Sequence, residues 1–143
     1  MSGVPLHYID LRAFCYATED DKRVEAALRT LLPAEFELSV SESEGHFGDR
    51  ILVFSARVES AEDMRAVLSR IGELPEEELA RIRSELDQRV DENCSFFLTL
   101  SKQAAFNGEV TLGDGITVRA KVEAYPANQE RAVENVADLL DEL

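Results

Sequence analysis

The chain has 143 residues, 45% of them hydrophobic, and a formal net charge of −14. That length fits one domain, 1–143, which buries about two-thirds of its unfolded surface without needing staples, and the composition excludes a disordered chain. No apolar run approaches the ~20 residues of a membrane span, and the opening MSGVPLHYIDLRAFCY sets Asp10 and Arg12 where a signal peptide would have its apolar core.

Residues 6–16, LHYIDLRAFCY, alternate between an apolar set (Ile9, Leu11, Ala13, Cys15) and a mixed set (Tyr8, Asp10, Arg12, Phe14, Tyr16). That period of two marks a strand. Thr18 is the expected cap of a helix with Glu19, Asp20 and Asp21 in its first turn. Its stripe is Val24, Ala27, Leu28, Leu31 and Leu32, and Pro33 stops it. Phe36, Leu38 and Val40 alternate with Glu35, Glu37 and Ser39 as a second strand. The loop EGHFGD joins it to a third, RILVFSARV at 50–58, as a hairpin. Gly45 and Gly48 suit positive φ, and Phe47 either tucks into the core or meets a partner.

Ser60 caps the next helix, with Met64, Val67, Leu68 and Ile71 inward. Pro75 opens another in LPEEEL. Its acids 76–78 read as a solvated start, and Leu79, Ile82, Leu86 and Val90 form its inner face. CSFFLTLS at 94–101 is a strand, KQAAFNGE bends away from it, and VTLGDGITVRAKVEAY reads as a hairpin turning at Gly113-Asp114-Gly115. An amphipathic helix over about 128–142 closes the chain. The order β-α-β-β-α-α-β-β-β-α, with amphipathic helices and one-sided strands, predicts a two-layer α+β fold. Helices cover one face of a largely antiparallel sheet.

The opposite face should display Tyr8, Arg12, Phe14 and Tyr16 from the first strand and Arg57 from the third. Phe97 and Thr99 join them from the strand at 94–101, and Arg119, Lys121 and Tyr125 from the last. Rings interleaved with bases are what single-stranded RNA requires, because its bases stack on rings and its phosphates meet Arg and Lys. Glu35, Glu37 and Glu123 on the same face would oppose that use. A homodimer or docking interface across this face fits the same residues.

Charge sharpens the question. Nineteen Glu and ten Asp face twelve Arg and only three Lys (Lys22, Lys102, Lys121). This is the composition expected of a halophilic, acidic protein, in which molar salt shortens the Debye length to about 3 Å and screens self-repulsion. Acidity of this order weighs against long-range attraction of nucleic acid and leaves short-range contacts to do the binding. The least acidic stretches are 45–58, at +1, and 94–125, at 0.

Catalytic constellations are sparse. Only His7 and His46 are available to a triad, and neither GxSxG, GxxxxGK[ST] nor GxGxxG occurs. Glu42, Glu44, His46 and Asp49 supply the one carboxylate-rich cluster a metal-dependent nuclease would need, in a chain where acids are common. Cys15 and Cys94, 79 residues apart, read as small buried hydrophobes in a reducing compartment.

HYIDLRAFCYATED, EGHFGDRI and LSKQAAFNGEVTLGDGITVRAKVEAYP, followed by the closing helix, resemble in that order a family of small archaeal RNA-binding proteins described as exosome-subunit-like, of double-stranded-RNA-binding-type fold. The resemblance spans about residues 6–140. It implies a cytoplasmic, haloarchaeal protein tied to RNA processing or degradation, with a ribosomal-protein-like α+β fold. It supplies no catalytic residue, no metal and no cofactor, and its partners would be RNA and exosome subunits. Combined with the sheet pattern, it makes Arg12, Phe14, His46, Phe47, Arg50, Lys102, Gln103, Arg119 and Lys121 the candidate RNA contacts. Gly48 and Phe106 lie within the same motifs.

Overall fold

The computed structural model describes residues 4–45 and 47–143. The alternation of the first motif builds β1, Leu6–Cys15. Asp20, not Thr18, caps α1 (Asp21–Arg29), its carboxylate accepting from the Lys22 N–H at 2.9 Å. A hairpin follows, β2 (Ser39–Glu44) and β3 (Arg50–Val58). Then come α2 (Ala61–Ile71), α3 (Glu76–Ser84) and α4 (Leu86–Arg89). β4 (Ser95–Ser101), α5 (Lys102–Phe106), β5 (Gly115–Val122) and α6 (Gln129–Asp141) complete the order. The five strands form one antiparallel sheet, β2-β3-β1-β5-β4, so the first strand in the chain is the central one.

The α+β architecture and the one-sided sheet agree with the hydrophobic pattern. Ile9, Leu11, Phe54, Ala56, Leu98, Ile116 and Val118 are buried on one face beneath the helices, with Leu28, Val67, Ile82 and Val136 among the helical residues that close the core. The details differ in four places. β2 begins at Ser39 because the chain turns before it. The Phe36 N–H bonds back to the Pro33 carbonyl at 3.2 Å, and Glu35 has φ of 61°. Phe36 and Leu38 therefore reach the core from an irregular segment. Their alternation was real but did not belong to a strand, and Glu35 and Glu37 lie outside the sheet.

The second difference is the expected hairpin at 110–124. Its short arm makes one isolated bridge, Leu100 to Leu112, and β5 pairs instead with β1 and β4. The backbone donors of the short arm are taken elsewhere. Leu112 N–H donates to the Glu78 carboxylate at 2.8 Å, and Gly113 N–H to the Thr99 carbonyl at 3.1 Å. Glu78 is thus a tether between α3 and this arm, not part of a solvated helix start. Third, KQAAF winds into α5, capped by the Ser101 hydroxyl accepting from Ala104 N–H at 3.0 Å. Fourth, the LPEEEL helix breaks at Glu85, whose φ of −108° is non-helical, so one expected helix becomes α3 and α4.

At the C-terminal end of the fold, the Asn128 side chain accepts from Arg131 N–H at 2.8 Å and caps α6. Replacing it with Ala leaves that donor without its protein acceptor. We expect a loss of about 1 kcal/mol in unfolding free energy, read as a lower urea midpoint at unchanged slope.

Candidate nucleic-acid interface

The open face is set by register. Across β3, β1, β5 and β4, one row runs Arg57, Asp10, Arg119, Phe97, and the next runs Ser55, Arg12, Thr117, Thr99. Lys121 lies opposite Tyr8, and Phe14 opposite Val53. Four cations (Arg12, Arg57, Arg119, Lys121) and one carboxylate (Asp10) stand on this side of the described strands, in a chain whose net charge is −14. β2 contributes serines here (Ser39, Ser41, Ser43), because its Glu42 and Glu44 pair with Leu52 and Arg50 on the other side. Glu123 follows the end of β5, so none of the three expected opposing acids is a strand residue of this face. Tyr125 also lies past the strand end, and is exposed.

Several of these groups hold one another. Arg57 donates both sides of its fork to Asp10, at 2.8 and 2.9 Å, and lies 4.0 Å over the Tyr8 ring. The bonds to Asp10 push the guanidinium pKa further up, so its charge is permanent. Arg119 donates to the Tyr8 hydroxyl at 3.2 Å. Lys121 donates to the Asn93 carbonyl. Arg12 differs. It is exposed on the central strand and, among the described residues, makes no hydrogen bond or ion pair. Phe14 beside it is 36% exposed, and Phe97 37%. The sheet therefore holds one uncommitted guanidinium on its central strand with the Phe14 ring beside it, and the Phe97 ring two strands away on the edge strand.

The other candidates sit elsewhere. Arg50 faces the helix side of the sheet end and pairs with Glu42 at 3.6 Å. Lys102 is largely covered. Its ammonium donates to the Phe14 carbonyl and to Glu19, both at 2.8 Å, and lies 5.6 Å from the Tyr16 ring. Partial burial works to raise the Glu19 pKa, but the Lys102 and Tyr16 N–H bonds prevail and hold it below the usual carboxylate range. Gln103 is exposed on α5. His46 lies outside the described residues. Phe47 is not a core residue, being 87% exposed at the hairpin tip. The turn is closed by Gly45 N–H to Asp49 O at 2.7 Å and Gly48 N–H to Gly45 O at 3.0 Å, and Gly48 has φ of 80° while Gly45 does not take positive φ.

The carboxylates of the expected nuclease cluster do not converge. Glu42 is engaged by Arg50, and no group of three His, Cys, Asp or Glu forms a metal-binding arrangement among the described residues. Cys15 and Cys94 are buried thiols far apart in the sheet layer, and burial, with Glu19 and Asp21 nearby, pushes the Cys15 thiol pKa up. What the sequence pattern missed is the set of partners. The Asp10–Arg57 fork, the Lys102–Glu19 tie and the Arg23 guanidinium 4.2 Å over Phe106 each join residues distant in the chain or on different elements.

A family model described as RNA binding matches residues 8–122, from β1 through the end of β5. The chain is 37% identical to the RNA-binding protein PAB1135 of Pyrococcus abyssi, over 94% of each. Among solved structures, protein AF2318 of Archaeoglobus fulgidus matches with a TM-score of 0.84 at 30% identity, covering 94% of this chain and 99% of that one. Mth689, a DUF54 protein of Methanothermobacter thermautotrophicus, matches at 0.80 and 35% identity, covering 94% and 98%. The chain belongs to this RNA-binding family, whose solved members share its fold.

Proposed function

We propose that the chain is a non-catalytic RNA-binding protein and that the open face of its sheet is the RNA surface. The observation that carries this reading is the local charge. The strand residues of the uncovered face carry three positive charges in excess, in a chain with net charge −14, and include an uncommitted Arg12 beside the half-exposed Phe14 ring. Arg12, Arg119 and Lys121 meet phosphates, and Phe14 with Phe97 offers stacking surface. Phe47 at the hairpin tip and Gln103 on α5, both exposed, are further contact candidates near the same end of the sheet. The family match and the P. abyssi relative named as an RNA-binding protein support the same assignment. Charge also favours an anionic partner over a second copy, since an isologous dimer through this face would set cations against cations.

Filter retention of labelled RNA across a KCl series tests the reading. Retention that falls with salt supports it, and folded protein that retains no RNA at any salt overturns it. Docking on an RNA-processing assembly such as the exosome extends the proposal, resting on the motif resemblance, and is tested by co-purification in the presence and absence of ribonuclease. The halophilic setting is supported by the Arg-over-Lys bias and the acid excess. It predicts that raising KCl from 0.1 to 2 M increases the melting temperature by several degrees, because screening removes the self-repulsion of an acidic surface. A flat or falling melting temperature in that series would contradict it.

A further inference from the structure

A cleft of about 590 Å³ opens where β1 leads into α1, lined also by α5 and the turn before β5. Its volume lies in the range of roughly 300–1,000 Å³ that small-molecule sites occupy. The lining holds a flat apolar surface, the Phe106 ring, which is 37% exposed and carries the Arg23 guanidinium 4.2 Å over one face. It also holds polar groups with capacity to spare. The Lys102 ammonium is held against Glu19 and the Phe14 carbonyl, which fixes one wall of the cleft. The side chains of Gln103 and Asp114 make no hydrogen bond or ion pair among the described residues.

Carboxylates outnumber cations in this lining, so a phosphate is the wrong occupant. A neutral planar ring with adjacent N–H donors is the right one. Guanine presents its N1–H and N2 amino group side by side, which one carboxylate accepts together, and its O6 accepts from an ammonium or amide. Uracil sets a single N–H between two carbonyls and would turn an acceptor toward the carboxylate. The cleft also adjoins the C-terminal end of β1. β1 carries Arg12 and Phe14 toward it, and Lys102 ties the Phe14 carbonyl to its lining.

We infer that the cleft is a base pocket for one guanine splayed from a single-stranded RNA that lies along β1, a reading that rests on the RNA-binding function of the sheet face. Phe106 stacks the base, Asp114 accepts from its N1–H and amino group, and the Gln103 amide donates to O6.

The test is fluorescence anisotropy with two labelled RNA octamers, oligo(U) and oligo(U) carrying one central guanosine, in a single KCl buffer. The wild type is expected to bind the guanosine-containing RNA about tenfold more tightly, the discrimination of one good bidentate base contact. Asp114→Asn and Phe106→Ala, each checked for fold by circular dichroism, should bring the affinity ratio close to 1. A wild-type ratio of 1 with both RNAs bound overturns the pocket alone, as does a ratio unchanged in both variants. No binding of either RNA overturns the sheet-face function and the pocket with it.

Discussion

Arg12→Glu should weaken RNA binding by about 10- to 100-fold at 0.2 M KCl and leave the fold intact. The substitution removes one phosphate partner and places a carboxylate at the centre of the face, so a lost attraction is joined by a repulsion. The slope of log affinity against log salt should flatten by about 0.7 for the lost single-strand phosphate contact. Arg12 is the informative position because nothing in the described structure depends on it. Arg57→Glu would strand Asp10 and uncover one face of Tyr8, and Lys102→Ala would remove the tie from α5 to Glu19 and the Phe14 carbonyl, so loss of binding in either would mix structure with recognition. Affinity and salt slope equal to wild type in Arg12→Glu would remove the sheet face as the RNA surface.

Gly115→Ala should cost about 3 kcal/mol of stability, measured as a fall in the urea midpoint. Gly115 has φ of 113°, and a Cβ built there would lie 2.5 Å from Lys102 Cβ and 3.3 Å from its Cδ and Cε. Backbone strain of about 1–3 kcal/mol therefore combines with an overpacking cost of similar size. The neighbour cannot simply swing away. The Lys102 N–H is bonded to the Asp114 carbonyl at 2.9 Å, and its ammonium is tied to Glu19 and Phe14. Gly48→Ala is the matched control, since Gly48 has φ of 80° with nothing within 4 Å of its Cβ position and should lose only about 1 kcal/mol. If the two variants lose equally, the close approach of the turn to α5 is wrong.

Much of the candidate interface was legible in residue order. Period-two alternation assigned Tyr8, Arg12, Phe14, Arg57, Phe97, Arg119 and Lys121 to one side of a sheet before any pairing was known. A one-residue shift would have buried all of them, so the apolar set on the other side leaves a single choice. The failures were local and shared a cause. Phe36 and Leu38 had the pattern of a strand, but a turn at Pro33 and Glu35 set where pairing with β3 begins. The 110–112 arm had the pattern of a hairpin, but Glu78, thirty-four residues away, takes the Leu112 donor. Periodicity reports which face a side chain buries and carries no information on which distant group satisfies a backbone N–H.

The sequence by itself determined the α+β class, the one-sided sheet and the face on which rings and cations lie, because these follow from hydrophobic spacing within single segments. Only the tertiary structure decided that β1 is the central strand, that Glu35 and Glu37 lie outside the sheet, and that Arg12 alone among the strand cations of this face is uncommitted. The same holds for the cleft, which takes its lining from α1, α5 and a turn near residue 114. These are matters of strand order and long-range pairing. They are set by how whole elements pack and by which buried polar groups find partners, and no local window of the chain contains that information.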